Sequence, residues 1–174
     1  MTTKQTHQPD EKTLSLIREF EAAIARNPDD ADAYATMGLW WHRRGDHSKA
    51  LDHYNAAIHL APSFARALCA RASLLATCPD PRYRDGGSAV RDATAALAAA
   101  RKNGELYSNS RNLMYLQTLA AAHAEHGDFN EAMRFQQEAL GYTDTLSMED
   151  HRKVISRLMG FHSRRPVRER SGLV

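Results

Sequence analysis

Two cysteines, nine histidines and a C-terminal run of arginines are the residues of this 174-residue chain whose types could do chemistry. A nucleophilic enzyme needs a thiolate or hydroxyl held beside a base. Cys69 falls in a helical stretch and Cys78 opens a loop, and no histidine is spaced along the sequence to activate either, so both are expected to be inert thiols. Neither belongs to a CxxC pair, and two cysteines make no disulfide framework. His42, His47, His53, His59, His123 and His126 lie on or beside helices, but no two are four residues apart, the spacing that puts two ligands on one helix face. Gly86-Gly87 opens a helix whose N-terminus could hold an anion, yet it lacks the Lys-Ser/Thr of a phosphate-binding loop. No convergent set of titratable groups emerges, so the chain is expected to be no enzyme and to need neither metal nor cofactor.

The arginines are distributed unevenly. Residues 151–174 carry seven Lys or Arg against Glu169 alone, a sum of +6, which leaves −4 for residues 1–150 of a chain whose formal charge is +2. An acidic body with a basic tail attracts anionic partners, or folds the tail back on itself. Arg157, Arg164, Arg165 and Arg168 are the candidate anion contacts. Only Phe161 interrupts the basic run with an aromatic ring, which is poor provision for stacking on bases.

The elements that must position these residues are legible from periodicity. In residues 31–64 the apolar and small residues fall at helical spacing in two runs, Tyr34, Met37, Gly38 and Trp41, then Ala50, Tyr54, Ala57 and Ile58, with Gly45-Asp46 between them. This predicts two antiparallel helices joined by a tight turn. Gly38 and Ala57 are small where the helices cross, Trp41 and Tyr54 fill the wider parts of the seam, and Pro62 stops the second helix. A single helical hairpin cannot bury its apolar face alone, so copies are expected. They are present. Thirty-four residues before Tyr54, Ala57 and Pro62 stand Phe20, Ala23 and Pro28; further on, Leu116, Leu119, Ala120, Gly127-Asp128, Ala132 and Ala139 repeat the hairpin. A weaker copy lies between, with Leu68, Ala72 and Leu75 on one helix and Ala89, Ala93 and Ala96 on the next.

This pattern resembles the tetratricopeptide repeat family, whose period is 34 residues. The resemblance implies an all-α fold, a right-handed α-solenoid of about three hairpins with an N-terminal half-repeat and a C-terminal capping helix. The corresponding division is a disordered 1–9, a helical domain 10–160 (half-repeat 10–30, repeats 31–64, 65–102 and 111–144, capping helix 147–160) and a basic tail 161–174. Asp10 is expected to cap a first helix burying Leu14, Ile17, Phe20 and Ile24. Asn109 or Ser110 is the expected cap after the 103–110 linker, and Ser147 that of the last helix. The loop at 78–87 lengthens one repeat; in it Tyr83 is expected to drop onto the hairpin seam while Arg82, Arg84 and Asp85 pair locally. Beyond Gly160 too few apolar residues remain for further helix.

In the resembling family the first helices of successive repeats line a concave groove that accepts an extended peptide or a partner helix. Carried over, that groove presents Asp32, Ala35, Leu39, His42 and Arg43, then Arg66, Cys69, Ser73 and Ala76, then Gln117, Ala121 and Glu125. Family members that hold a C-terminal carboxylate use Lys, Asn and Arg at places that here hold Ala35, Leu39, Met114 and Thr118, so that clamp is missing. Trp40, beside Trp41, is either a contact residue or packed on the half-repeat. The function expected is a non-catalytic scaffold binding a protein or peptide in the groove; the alternative is an adaptor that meets nucleic acid or the ribosome through the basic tail. With no apolar run of about 18 residues and no apolar leader, the protein is expected to be cytoplasmic, apart from any membrane, and monomeric.

Overall fold

The computed structural model describes residues 11–106, 108–142 and 147–168. The expected N-terminal disorder at 1–9, the Asp10 cap and the end of the tail at 169–174 lie outside these residues. Eight α-helices and no strand occur among them: α1 Glu11–Arg26, α2 Ala31–Arg43, α3 His47–Leu60, α4 Ala65–Thr77, α5 Gly86–Lys102, α6 Asn109–His126, α7 Phe129–Leu140 and α8 Met148–His162, with a 3-10 turn at Pro81–Tyr83. None of the described helices is long and apolar enough to cross a membrane.

Short polar side chains start α2, α3 and α5 to α8 by accepting from backbone N–H groups that have no intrahelical partner, while α4 follows Phe64 with no side-chain cap. Asp30 accepts from Asp32 and Ala33 at 3.0 and 3.1 Å, Asp85 from Ser88 at 3.0 Å, and Ser147 from Asp150 at 3.1 Å. Two boundaries differ from the sequence reading. Ser108 rather than Asn109 or Ser110 caps α6, and α8 runs two residues past Gly160 because Phe161 finds a buried slot against α6 and α7. Gly45, Gly104 and Gly127 take left-handed conformations where helices end.

The helices pack in repeat-like fashion as hairpins, α2 with α3, α4 with α5 and α6 with α7. Successive hairpins touch, α2, α4 and α6 stand side by side, and α8 closes on α7. Small residues make the close packing possible. A Cβ on Gly38 would lie 2.6 Å from the ring of Tyr54, which is itself fully buried, so the α2–α3 crossing requires glycine. The main core is an alanine-rich layer of α4, α5 and α6, with Leu68, Leu113, Tyr115 and Leu119 filling between them. A second cluster gathers Ala50, Tyr54, Leu74 and Cys78, and Tyr83 packs onto it, as the loop reading expects.

Polar ties cross these layers. Arg71 on α4 holds Asp92 on α5 through two hydrogen bonds of 2.7 and 2.9 Å and reaches Asn55 on α3 at 2.6 Å. The buried Gln136 amide donates to the Val154 carbonyl at 3.1 Å and pins α8 to α7. α1 differs from expectation: Leu14 is 37% exposed, and Ile17, Phe20 and Ile24 are only half-buried. Among the described residues its one substantial neighbour is α2, and one neighbour covers only part of an apolar stripe.

Candidate functional site

Side by side, α4 and α6 form the wall of a cavity of about 560 Å³ whose opposite side is α8 and the chain that follows it. α4 contributes Ser73 and Thr77, and α6 contributes a row from Ser110 through Met114 and Gln117 to Ala121. Asp150, Lys153 and Arg157 face it from α8, three and four residues apart on one stripe, while Val154 and Phe161 on the same helix are buried.

After α8 the chain turns at Arg164, whose φ is +53°, and Arg165 N–H donates to the Gly160 carbonyl at 2.9 Å. Val167 then packs against the core and Arg168 reaches both the Ala76 carbonyl and Glu125. The segment 161–168 is therefore docked against the helices, in the manner of the fold-back alternative for the basic tail. Buried apolar surface at Phe161 and Val167, together with an ion pair, offsets the entropy of ordering it.

Glu125, near the end of α6, is the meeting point of three segments. Its side chain is 14% exposed; Arg84 Nε donates to Oε1 at 3.0 Å, and Arg168 Nη1 lies 2.7 Å from Oε2. The second contact is Coulombic rather than an aligned hydrogen bond, since Oε2 accepts no well-directed N–H. Arg84 also donates to the carbonyls of Cys78 and Pro79 at 3.0 and 3.2 Å, so the 78–85 loop is tied to α6. Arg84 was expected to pair locally. Its partner lies 41 residues away because α5 begins hard against the end of α6, where a Cβ on Gly86 would meet His126 backbone at 2.5 Å. Arg82 and Asp85 do act locally: Arg82 holds Asp80, whose carboxyl is lowered to about 2, chiefly by that hydrogen bond, and Asp85 accepts from Ser88.

The cavity brings together Ser73, Gln117, Ala121, Arg157 and Arg168 of the residues singled out from sequence, with Met114 and Thr118 of the missing clamp positions. Arg157 donates to Gln117 Oε1, which sets its guanidinium toward α6. The other residues lie elsewhere. On α2, Asp32 pairs with Arg66, which also donates to Thr36 Oγ1 at 3.0 Å; Leu39 and Arg43 are exposed and line no part of the cavity. His42 turns toward the α2–α3 seam, where its Nδ1 lies 3.4 Å from the Tyr54 hydroxyl. Ala35, Ala76 and Cys69 are buried in helix contacts, and Arg164 and Arg165 are exposed. Trp40 is half-buried, with its ring edge-on to Trp41 and the Arg44 guanidinium 4.2 Å above it.

Sequence reasoning gave Lys153, Asp150 and Val167 no part in a site and gave Arg84 only a local one. The 150, 153, 157 spacing on an amphipathic helix was the available signal for the first two; nothing local marks the others.

Burial raises the Cys69 thiol to about 11, against a hydrogen bond to Thr118 Oγ1 at 3.4 Å that acts in the opposite sense. A thiol so placed is not a thiolate at neutral pH. Cys78 is likewise buried, and no cluster of three metal-binding side chains occurs among the described residues. No protein-family model matches the chain, and no curated protein matches it.

Proposed function

We propose that the chain is a non-catalytic partner-binding module, a solenoid of tetratricopeptide-type hairpins that holds a peptide or partner helix on the side where the first helices of the repeats line up. The reading is supported above all by the cavity between α4, α6 and α8: it is open, mixed in chemistry, large enough for several side chains, and lies on the side where α2, α4 and α6 stand together. The inert setting of both thiols agrees with a binding rather than a catalytic role. The fold does not by itself specify a function, so the proposal stands on the cavity. With it go a monomeric, cytoplasmic protein and no cofactor.

Ser73→Trp tests it by filling the cavity from α4. Expected is loss of a protein partner that the unaltered chain retains from host lysate through a high-salt wash, with the melting temperature unchanged within about 3 °C, about 1 kcal/mol for a chain of this size. Equal retention by the variant overturns the groove reading. The alternative, nucleic-acid association through Arg157, Arg164, Arg165 and Arg168, requires retained nucleic acid that is lost steeply with salt. The exposure of Arg164 and Arg165 favours it, and the docking of Phe161, Val167 and Arg168 weighs against a free basic arm.

A further inference from the structure

α8 has three faces. Val154 and Phe161 are buried in the core, and Asp150, Lys153 and Arg157 face the cavity. Helical periodicity turns the third face away from both, and along it run Met148, Arg152, Ile155, Met159 and His162, spaced by four, three, four and three residues. Met148 is 80% exposed, Met159 68% and Ile155 38%, whereas no other described helix leaves more than one large apolar side chain so exposed. That alternation keeps a straight seam along an α-helix over two heptads, as in helices that pair with another helix. We propose that this outer face of α8 is a docking seam for an amphipathic helix of another protein, which sets apolar side chains against Met148, Ile155 and Met159 and a carboxylate against Arg152. The seam is separate from the cavity, and the inference does not rest on the groove reading.

Arg152 decides the kind of partner. It is exposed and, unlike Lys153, Arg157 and Arg168, it pairs with no described residue. Standing in the seam between Met148 and Ile155, it loses water when a helix lies there, and a guanidinium so placed needs a carboxylate on the incoming face. A second copy of the chain brings like charge instead. Two α8 helices packed parallel and in register set their Arg152 side chains opposite each other. Packed antiparallel about the centre of the stripe, they bring the two within about 4.5 Å along the axis, three residues of rise. An anionic membrane supplies negative charge, but Glu149, whose side chain is 74% exposed beside Met148, meets its headgroups with like charge, and a lipid surface has no counterpart to a narrow seam. The two methionines suit a helix partner because an unbranched thioether adapts to the side chains it faces.

The test uses designed helical peptides of about three heptads with Leu at every seam position but one. That one position holds Glu and is moved along the seam across the set; a matching set holds Lys. Fluorescence anisotropy of the labelled peptides reads binding to the full chain, to Arg152→Glu, to Met148→Glu/Met159→Glu, and to Ser73→Trp, whose change lies in the cavity. Met148→Gln/Met159→Gln replaces the double Glu variant if that protein does not fold. The expected result is a Glu peptide bound at least about tenfold more tightly than its Lys counterpart, reversal of that order by Arg152→Glu, about tenfold or greater weakening in the methionine variant, and no change in Ser73→Trp. Binding of no peptide, equal binding of Glu and Lys peptides, or a preference that Arg152→Glu leaves in place overturns the proposal. Loss of binding in Ser73→Trp with retention in the methionine variant overturns it by placing the contact in the cavity. Phosphatidylcholine vesicles containing phosphatidylserine that hold the full chain but not the methionine variant overturn it in favour of a membrane. A dimer in sedimentation equilibrium that the methionine variant abolishes overturns it in favour of a second copy.

Discussion

Gly86 and Gly87 are neighbours at the start of α5, indistinguishable by local pattern, and they are expected to respond oppositely to alanine. A Cβ on Gly86 would lie 2.5 Å from His126 N, 2.6 Å from His126 Cα and 2.8 Å from the Glu125 carbonyl carbon. All three are backbone atoms of α6, so no rotamer change relieves the overlap. The start of α5 must lift by about 1 Å to restore ordinary carbon contacts of about 3.5–4 Å. On Gly87 the nearest atoms would be Asp85 Oδ1 at 3.5 Å and Arg91 Nη1 at 3.7 Å, which is normal contact. Alanine returns at most about 1 kcal/mol of helix propensity at either site. Against this, overpacking at Gly86 costs about 1–3 kcal/mol. The same displacement pulls on the Arg84–Glu125 hydrogen bond, a charged contact of a kind that contributes about 1.5–3 kcal/mol. Gly86→Ala is therefore expected to be about 2–4 kcal/mol less stable than the parent, and Gly87→Ala unchanged or more stable by up to about 1 kcal/mol. Urea unfolding followed by far-ultraviolet circular dichroism reads the difference, supported by a melting temperature lower by roughly 5–15 °C for Gly86→Ala. If the two variants agree within about 0.5 kcal/mol, the α5–α6 contact does not constrain this backbone and the reasoning fails.

Two further outcomes follow from buried polar groups. Asp92→Ala leaves the Arg71 guanidinium, whose side chain is 23% exposed, without its carboxylate, and should cost about 2–4 kcal/mol in urea unfolding; a double-mutant cycle with Arg71→Met should return a coupling well above zero, and additivity would refute the pairing. His123 has its pKa lowered below 6.5 chiefly by burial, with Asp128 and Glu131 pulling the other way. The folded state then binds fewer protons than the unfolded state just below pH 6.5, so stability is full above that value and falls as pH drops through it toward the lowered folded value. His123→Phe, keeping the stacking on Phe135, should reduce the slope of the urea midpoint between pH 7.5 and 5.5; His53, shifted the same way chiefly by burial, retains the rest, and an unchanged slope counts against His123.

The hairpins, their turns and most helix ends were legible in the chain because each depends on residues three or four apart. Asp46 before α3 and Gly127 after α6 are local necessities of capping and termination, and the structure has them in the turns that the sequence marks, whereas Tyr54, expected in a wider part of the seam, lies directly over Gly38. The two ends were less legible. α1 carries the amphipathic pattern of a buried helix, yet how much of its stripe is covered depends on how many helices reach it, and only α2 does so substantially. Residues 161–168 look polar by composition, but Phe161 and Val167 suffice to dock them once α6 and α7 provide the slot.

The candidate site divides along the same line. The family resemblance placed Ser73 and Gln117 in one groove, and the 150, 153, 157 spacing that makes one stripe on α8 is present in the sequence, because helical periodicity distributes side chains among faces. The sequence could not determine that this stripe would stand across from α6, that Arg84 and Arg168 would converge on Glu125, or that Gly86 would touch α6 backbone. Those pairings join residues about 40 or more apart in sequence. They are decided by the packing angle and offset of whole helices, which alanine-rich faces leave free until every neighbour is in place.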